Sequence, residues 1–252
     1  MDDEATRPVK LTSFASPLRV LVWGASGGIG AAFVAALQHH PQVAEVMAAA
    51  RSAPAPWQFT LDDEESIAAV AAAAARGGPL DLVLVATGML HETSAEGRQL
   101  KPEKSWRSLE SAALTRAFAV NSLGPALIAK HCLGLLRSDA KAAFAVLSAR
   151  VGSIEDNRLG GWYSYRASKA ALNMLIRCFA IELRQRNPRA ICVGLHPGTV
   201  DSRLSKPFQA TVDPRKLFTP EQSVRAMLAT LERLSPADSG RLWAYDGGAI
   251  PF

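Results

Sequence analysis

The sequence predicts an α/β fold, a doubly wound parallel sheet in three layers (αβα) and a single domain. Three observations carry that reading. Runs of β-branched and apolar residues at 18–23, 81–86, 142–147 and 190–195 stay largely apolar rather than alternating, as strands covered on both faces do. Segments with apolar residues at helical spacing lie between them, and strands alternating with helices make a parallel sheet. The first run passes directly into Gly24-Ala-Ser-Gly-Gly-Ile-Gly30 and then a helical stretch. Strand, glycine turn and helix in that order mark a Rossmann-type unit.

Composition narrows the function classes. A chain of 252 residues with 48% hydrophobic and 20% charged residues can bury one substantial core. Its net charge of +5 is dispersed, with no Lys/Arg-rich or aromatic-interleaved patch, so no nucleic-acid partner is expected. No apolar run is read as long enough to span a bilayer, and the Met-Asp-Asp-Glu start lacks the order of a secretory signal, so no membrane partner is expected. Cys132, Cys178 and Cys192 sit apart in apolar segments, which reads as reduced, buried thiols in a cytoplasmic protein. The five histidines show no ligand spacing, so no metal is expected. Residues 1–17 form a polar lead-in, loosely ordered through about residue 16, and residues 18–252 the folded domain.

In chain order, the glycine loop after strand 18–23 suits a dinucleotide pyrophosphate. Glycines let the backbone approach the phosphates, and the following helix end supplies amide donors. Gly24, Gly28 and Gly30 give G-x-x-x-G-x-G, whereas Gly24, Gly27 and Gly30 give G-x-x-G-x-x-G; the first is favoured because no extra substrate domain fits in this length. Ser26 and Ile29 lie within the same cradle. The second strand, 45–51, ends in Ala49-Ala50-Arg51 with no carboxylate at the position that would hold a ribose 2′-hydroxyl. Arg51 there favours a 2′-phosphate, so NADP(H) is the preferred cofactor, with NAD(H) possible.

A third strand is expected at 57–61, a helix at 63–76 closed by Gly77-Gly78-Pro79, and a buried strand at 81–86. After it, Ala86, Thr87 and Gly88 bring the backbone near the cofactor. A long helix is predicted over 111–136, with Asn121 inside it. A mid-helix asparagine means a local break or a polar task. Strand 142–147 leads to Ser148-Ala149, and a helix follows to about residue 186. In that helix Tyr165 and Lys169, four residues apart, share one face. A lysine ammonium beside a phenol lowers the tyrosine pKa toward a working range for proton transfer. Strand 190–195 precedes His196-Pro-Gly-Thr-Val-Asp201 and a basic, mobile loop at 201–218. Thr219-Pro-Glu-Gln222 has the form of a capping box opening a helix to about residue 234, and a last strand at 241–245 precedes an apolar tail.

Gly24-x-x-x-Gly28-x-Gly30, Asn121, Tyr165-x-x-x-Lys169 and Pro197-Gly198, in that order, resemble the short-chain dehydrogenase/reductase (SDR) family from about residue 18 onward. The runs 148–154 and 160–169 and the closing Asp-Gly-x-x-x-Pro-Phe resemble its C-factor and sniffer-like carbonyl reductase branch. The resemblance implies an NADP(H)-dependent oxidoreductase that reduces an aldehyde or ketone to an alcohol, or the reverse. In it Tyr165 would be the general acid, and Lys169 would lower its pKa and bond the nicotinamide ribose. Asn121 would hold a water that relays protons to Lys169, and Pro197, Gly198, Thr199 and Val200 would line the nicotinamide. It also implies a homodimer or homotetramer, with the helices carrying Tyr165 and Asn121 at the interface. Tyr163 competes as the acid but has Ala167 four residues on.

The family pattern is broken in three places. The catalytic hydroxyl position aligns with Ala149, so Ser148 or Ser153 would have to supply that hydrogen bond. The usual Asn-Asn-Ala-Gly appears as Val85-Ala86-Thr87-Gly88. The adenine aspartate aligns with Thr60. Loss of one bond to the developing oxyanion costs roughly 10²–10³ in rate, which leaves a second reading, an NADP(H)-binding sensor or signalling protein with weak turnover. Met89, Leu90, Trp162, Tyr163 and the 201–218 loop would wall an apolar pocket for a hydrophobic carbonyl substrate.

Overall fold

The computed structural model describes residues 8–93, 97 and 99–252. A seven-stranded sheet runs through it. Its strands are β1 (Leu18–Trp23), β2 (Val43–Ala49), β3 (Leu82–Val85), β4 (Ala142–Leu147), β5 (Ala190–His196), β6 (Leu242–Ala244) and β7 (Ala249–Ile250). Their order across the sheet is β7-β6-β5-β4-β3-β1-β2, all parallel except the β6–β7 hairpin. The chain runs outward from β1 to β2 and then crosses to the other side of β1 for β3. That reversal opens a crevice beyond the carboxyl ends of β1 and β3, where doubly wound sheets bind their ligands.

Helices α1 (Gly28–Gln38) and α6 (Pro220–Arg233) cover one face, where Phe33, Leu37, Val224, Met227 and Leu231 pack on Val20, Val22, Leu84 and Val193. On the other face lie α2 (Glu64–Ala75), α4 (Gly124–Cys132) and α5 (Tyr163–Arg186). There Ile67, Val70, Ile128, Leu172 and Ile176 meet Leu21, Val83 and Phe144. Strand residues alternate between the two cores because successive side chains point to opposite faces, so the three-layer reading from uniformly apolar strands is borne out. The expected capping box is present, with the Gln222 amide donating to Thr219 Oγ1 and Thr219 N donating to Gln222 Oε1.

Several expectations are corrected. Residues 57–61 form no strand; they make one isolated bridge, Ala50 to Gln58. Ala50 N donates to Trp57 O and accepts at its carbonyl from Phe59 N, and pairing goes no further; the Phe59 ring packs edge-to-face on Trp23, centroids 4.8 Å apart. The single helix expected over 111–136 is four pieces, α3 (Ser111–Phe118), a π-helical turn (Ala119–Leu123), α4 and a closing 3-10 turn (Leu133–Leu135). Pro125 offers no amide to the Asn121 carbonyl four residues back, and Gly124 N donates five residues back, to Ala119 O. The break sits on Asn121 itself, as a mid-helix asparagine suggested. By length and composition the whole run Ser111–Leu135 is long and apolar enough to cross a membrane, contrary to the sequence reading, and half of its most apolar window is buried in the fold. All three cysteines are free, but Cys178 is exposed while Cys132 and Cys192 are buried.

The lead-in is not loose over its second half. Leu11 and Phe14 are buried in the α1–α6 core. Ser13 and Thr12 donate to the Glu232 carboxylate, and Lys141 Nζ lies 4.4 Å from the Phe14 ring centroid. The expectation for residues 1–7 lies outside the described residues. Phe14→Ala is therefore expected to lower unfolding free energy by about 3 kcal/mol in urea titrations; no change would mean that the lead-in contributes no packing.

Candidate active site

The crevice at the sheet reversal is a continuous cleft of about 1160 Å³. At one end Gly24 leaves β1 with φ +81, and a Cβ there would stand 3.0 Å from the Ala86 carbonyl carbon at the end of β3. A Cβ on Gly30 would overlap the Gly24 carbonyl oxygen at 2.1 Å. Glycine at both positions lets the turn close and brings the start of α1 against the sheet. That helix end has no side-chain cap and no acidic residue in its first turn, so its orphan amides face the cleft that Ser26, Gly27, Gly28 and Ile29 line.

Farther along, Arg51, Thr60, Leu61 and Asp62 line the wall beyond β2. Arg51 is exposed, and its guanidinium has no hydrogen-bond or ion-pair partner among the described residues. Thr60 stands on this wall where an aspartate was looked for, while Asp62, two residues on, binds Arg116 at 3.0 Å. Ala86, Gly88, Pro197, Gly198, Thr199 and Val200 line the middle of the same cleft.

Tyr165 and Lys169 stand at the far end, on adjacent turns of α5, with Lys169 Nζ 6.0 Å from the Tyr165 ring centroid. The turn before α5 seats the lysine closely, since a Cβ on Gly152 would come within 2.7 Å of Lys169 Cβ. Lys169 is 3% exposed and donates to the Leu147 carbonyl at 2.9 Å. Burial pushes its ammonium down to about 7 and pushes the Tyr165 phenol up to about 12. This reverses the expected depression of the tyrosine. Both groups are desolvated, which favours each neutral form, and the lysine proton is directed at a carbonyl rather than at the phenolic oxygen.

Asn121 is fully buried and its amide is spent on neighbours. Its Oδ1 accepts from Met89 N at 2.8 Å, and its Nδ2 donates to Met89 O and to Ser168 Oγ. Ser168 Oγ in turn donates to the Tyr165 carbonyl. Asn121 thus ties the strand-end segment at 88–89 to α5 between Tyr165 and Lys169, a positioning task that the sequence did not reveal. Ser148 is also committed, donating to Asn173 Oδ1 at 2.7 Å, and Ser153 Oγ accepts from Asp156 N. In this arrangement the Ser148 proton goes to Asn173 rather than into the cleft, contrary to the expectation for Ser148, and Ser153 does not line the cleft. Tyr163 does not line the cleft, whereas Met89, Leu90, Trp162, Leu204, Phe208 and Val212 do.

The cleft fits a dinucleotide. Two buried polar atoms on its wall, Thr87 Oγ1 and His196 Nδ1, have no partner among the described residues. Burial, and then the nearby Arg150, hold His196 neutral, its pKa down to about 4. Among the described residues no cluster could hold a metal ion.

Oxidoreductases that work on a nucleotide cofactor are built on such a reversal, with a proton-transfer pair at the far end of the cleft. The chain belongs to the short chain dehydrogenase family, whose model matches residues 19–213. It is 33% identical over 175 residues to the C-signal of Myxococcus xanthus, covering 69% of this chain and 94% of that protein. It is 36% identical over 140 residues to 1-hydroxy-2-glutathionyl-2-methyl-3-butene dehydrogenase of Rhodococcus sp. (strain AD45), covering 56% of this chain and 59% of that protein. The chain thus spans less than two thirds of the second relative. An NADPH-bound carbonyl reductase from chicken fatty liver superposes with a TM-score of 0.77 at 28% identity, covering 94% of this chain and all of the other. These matches bear out the family and branch that the motifs resemble.

The buried lysine has a thermodynamic signature. Between about pH 7 and 10.5 the unfolded chain binds the Lys169 proton and the folded one does not, so stability rises with pH across that window. Against Lys169→Met, the wild type is expected to gain about 1 kcal/mol per pH unit between pH 7.5 and 9.5 in urea titrations. Parallel curves would show that the lysine is not held neutral.

Proposed function

We propose that the protein is an NADP(H)-dependent carbonyl reductase, or the reverse alcohol dehydrogenase, with Tyr165 as its general acid. The observation that carries this reading is the Tyr165–Lys169 pair, the lysine buried and the tyrosine half-buried, at the end of the cleft that begins at the glycine turn. The chicken carbonyl reductase, described with NADPH bound, supports it. NADPH would supply the hydride. The glycine turn and the first turn of α1 would hold its pyrophosphate, and Arg51, whose guanidinium has no partner among the described residues, its 2′-phosphate. Ala86, Gly88 and residues 197–200 would line the nicotinamide half.

The Tyr165 hydroxyl would give its proton to the carbonyl oxygen as negative charge builds there. A phenol kept protonated by burial is the right form for that task, and the developing alkoxide is the stronger base, so transfer runs downhill. Lys169 would hold the ribose and restore the tyrosine proton. Asn121 would hold a relay water on its main-chain carbonyl, since its side chain is spent on Met89 and Ser168. Met89, Leu90, Trp162 and Phe208, with the 201–218 loop as a closing segment, would favour a hydrophobic aldehyde or ketone. A cytoplasmic homodimer or homotetramer agrees with the free cysteines and with exposed Leu123, Met174 and Ile181 on the α4 and α5 region.

One observation favours a second reading. With Ala149 on the wall and the Ser148 proton given to Asn173, the hydroxyl that the family pattern places beside Tyr165 is missing. A cofactor-binding signalling protein with weak turnover would look the same, and one relative is called C-signal.

NADPH oxidation across aldehydes, ketones and diketones decides between them. Tyr165→Phe is expected to lose at least about 10²-fold in kcat while still binding NADPH. Ala149→Ser is expected to raise kcat by about tenfold or more. Tight NADPH binding with no turnover by the wild type, and none restored by Ala149→Ser, would reject the reductase in favour of the signalling protein. Arg51→Ala is expected to weaken NADPH binding by about tenfold or more and to leave NADH binding unchanged; equal losses would show that Arg51 does not meet the 2′-phosphate.

A further inference from the structure

Glu103 is a buried carboxylate, 5% exposed, in the segment that precedes α3. Its described partners all lie at the start of α5. The carboxylate accepts from the Ser164 amide at 3.1 Å and from the Ser164 hydroxyl, 61 residues away in sequence. Its main-chain carbonyl accepts from the Trp162 amide at 2.6 Å. Trp162, the residue that enters the helix, gives no side-chain cap, and the first turn of α5 has no acidic residue. Glu103 therefore supplies from outside the anionic cap that the helix's own sequence lacks.

The entry to α5 needs such an anchor. Gly160, Gly161 and Trp162 follow one another in the left-handed region, at φ 61, 64 and 51. Trp162 is the one described non-glycine residue with a positive φ, a conformation that bulky side chains keep only when their surroundings enforce it. Held there, its ring packs edge-on against Tyr165 at 6.3 Å and Phe208 at 5.1 Å. Tyr165 is the next residue after the one Glu103 grips, and Glu103 and Tyr165 border one small cavity together with Met89 and Leu90.

We infer that Glu103 is a positioning residue for the reaction. It fixes the first turn of α5 so that the Tyr165 hydroxyl and the Trp162 wall meet the substrate carbonyl together. This rests on the carbonyl reductase reading above. Glu103 acts through Ser164 and Trp162 and itself takes no proton from the substrate.

The test compares wild type, Glu103→Gln and Glu103→Ala in three measurements: NADPH oxidation with benzil, NADPH affinity by fluorescence titration, and amide hydrogen exchange over residues 162–166. Glu103→Ala is expected to lower kcat at least about tenfold, to keep the NADPH Kd within about twofold because Glu103 lies outside the cofactor wall, and to speed exchange at the first turn of α5. Glu103→Gln, which keeps an acceptor without the charge, is expected to recover most of kcat. A cap that only stabilised the fold would lower the melting temperature and leave the kcat of folded Glu103→Ala unchanged, and that result overturns the inference. If Glu103→Ala does not fold, Ser164→Ala takes its place, with an unchanged kcat again overturning it. The exchange arm needs no turnover. If the wild type reduces no carbonyl, the reductase reading falls, while exchange in Glu103→Ala still decides whether the carboxylate holds the turn: faster supports it, unchanged overturns it.

Discussion

The site depends on a lysine kept out of water. Lys169 is almost fully buried and donates to the carbonyl of Leu147 at the end of β4. A charged ammonium there would bear a desolvation cost with one neutral acceptor to offset it, so the proton is held weakly. The surrounding structure is arranged to keep the lysine in this position. The close turn at Gly152 presses on its stem, Ser168 beside it is bonded to Asn121, and Asn121 is clamped to Met89. Those contacts join the ends of β3 and β4, the π-helical turn and α5 at one point. The phenol of Tyr165 is half-buried beside it, and that burial raises its pKa and keeps it protonated.

The other half of the cleft follows a different constraint, the close approach of Gly24 to the end of β3. There the protein presents backbone rather than side chains, and an uncapped helix end rather than a lysine. Arg51 and the orphaned Thr87 and His196 atoms offer polar groups along the wall that have no partner among the described residues. A rigid backbone cradle at one end and a desolvated side-chain pair at the other are what an extended two-part ligand requires, one part to be held and the other to react.

Much of this was legible in the sequence. Strands apolar on both faces, a glycine turn between strand and helix, and the Tyr165–Lys169 spacing depend on residues near one another in the chain, and each was found where expected. What stayed hidden depends on contacts across long sequence separations. The pull on the two pKa values comes from burial by distant elements, so a pairwise argument gave the wrong sign for Tyr165. Ser148 is occupied by Asn173, 25 residues on, and Glu103 caps a helix 61 residues on. The break at Asn121 had a local signal in Pro125, four residues later, which the helical periodicity outweighed. The strand expected at 57–61 is reduced to one bridge, from Ala50 to Gln58.

The most direct test is a crystal structure of the protein soaked with NADPH. The account predicts the pyrophosphate on the glycine turn, the 2′-phosphate at Arg51, and the nicotinamide between residues 197–200 and Tyr165, with Lys169 bonded to its ribose. NADPH bound elsewhere, or bound in the cleft with its nicotinamide away from Tyr165, would contradict it.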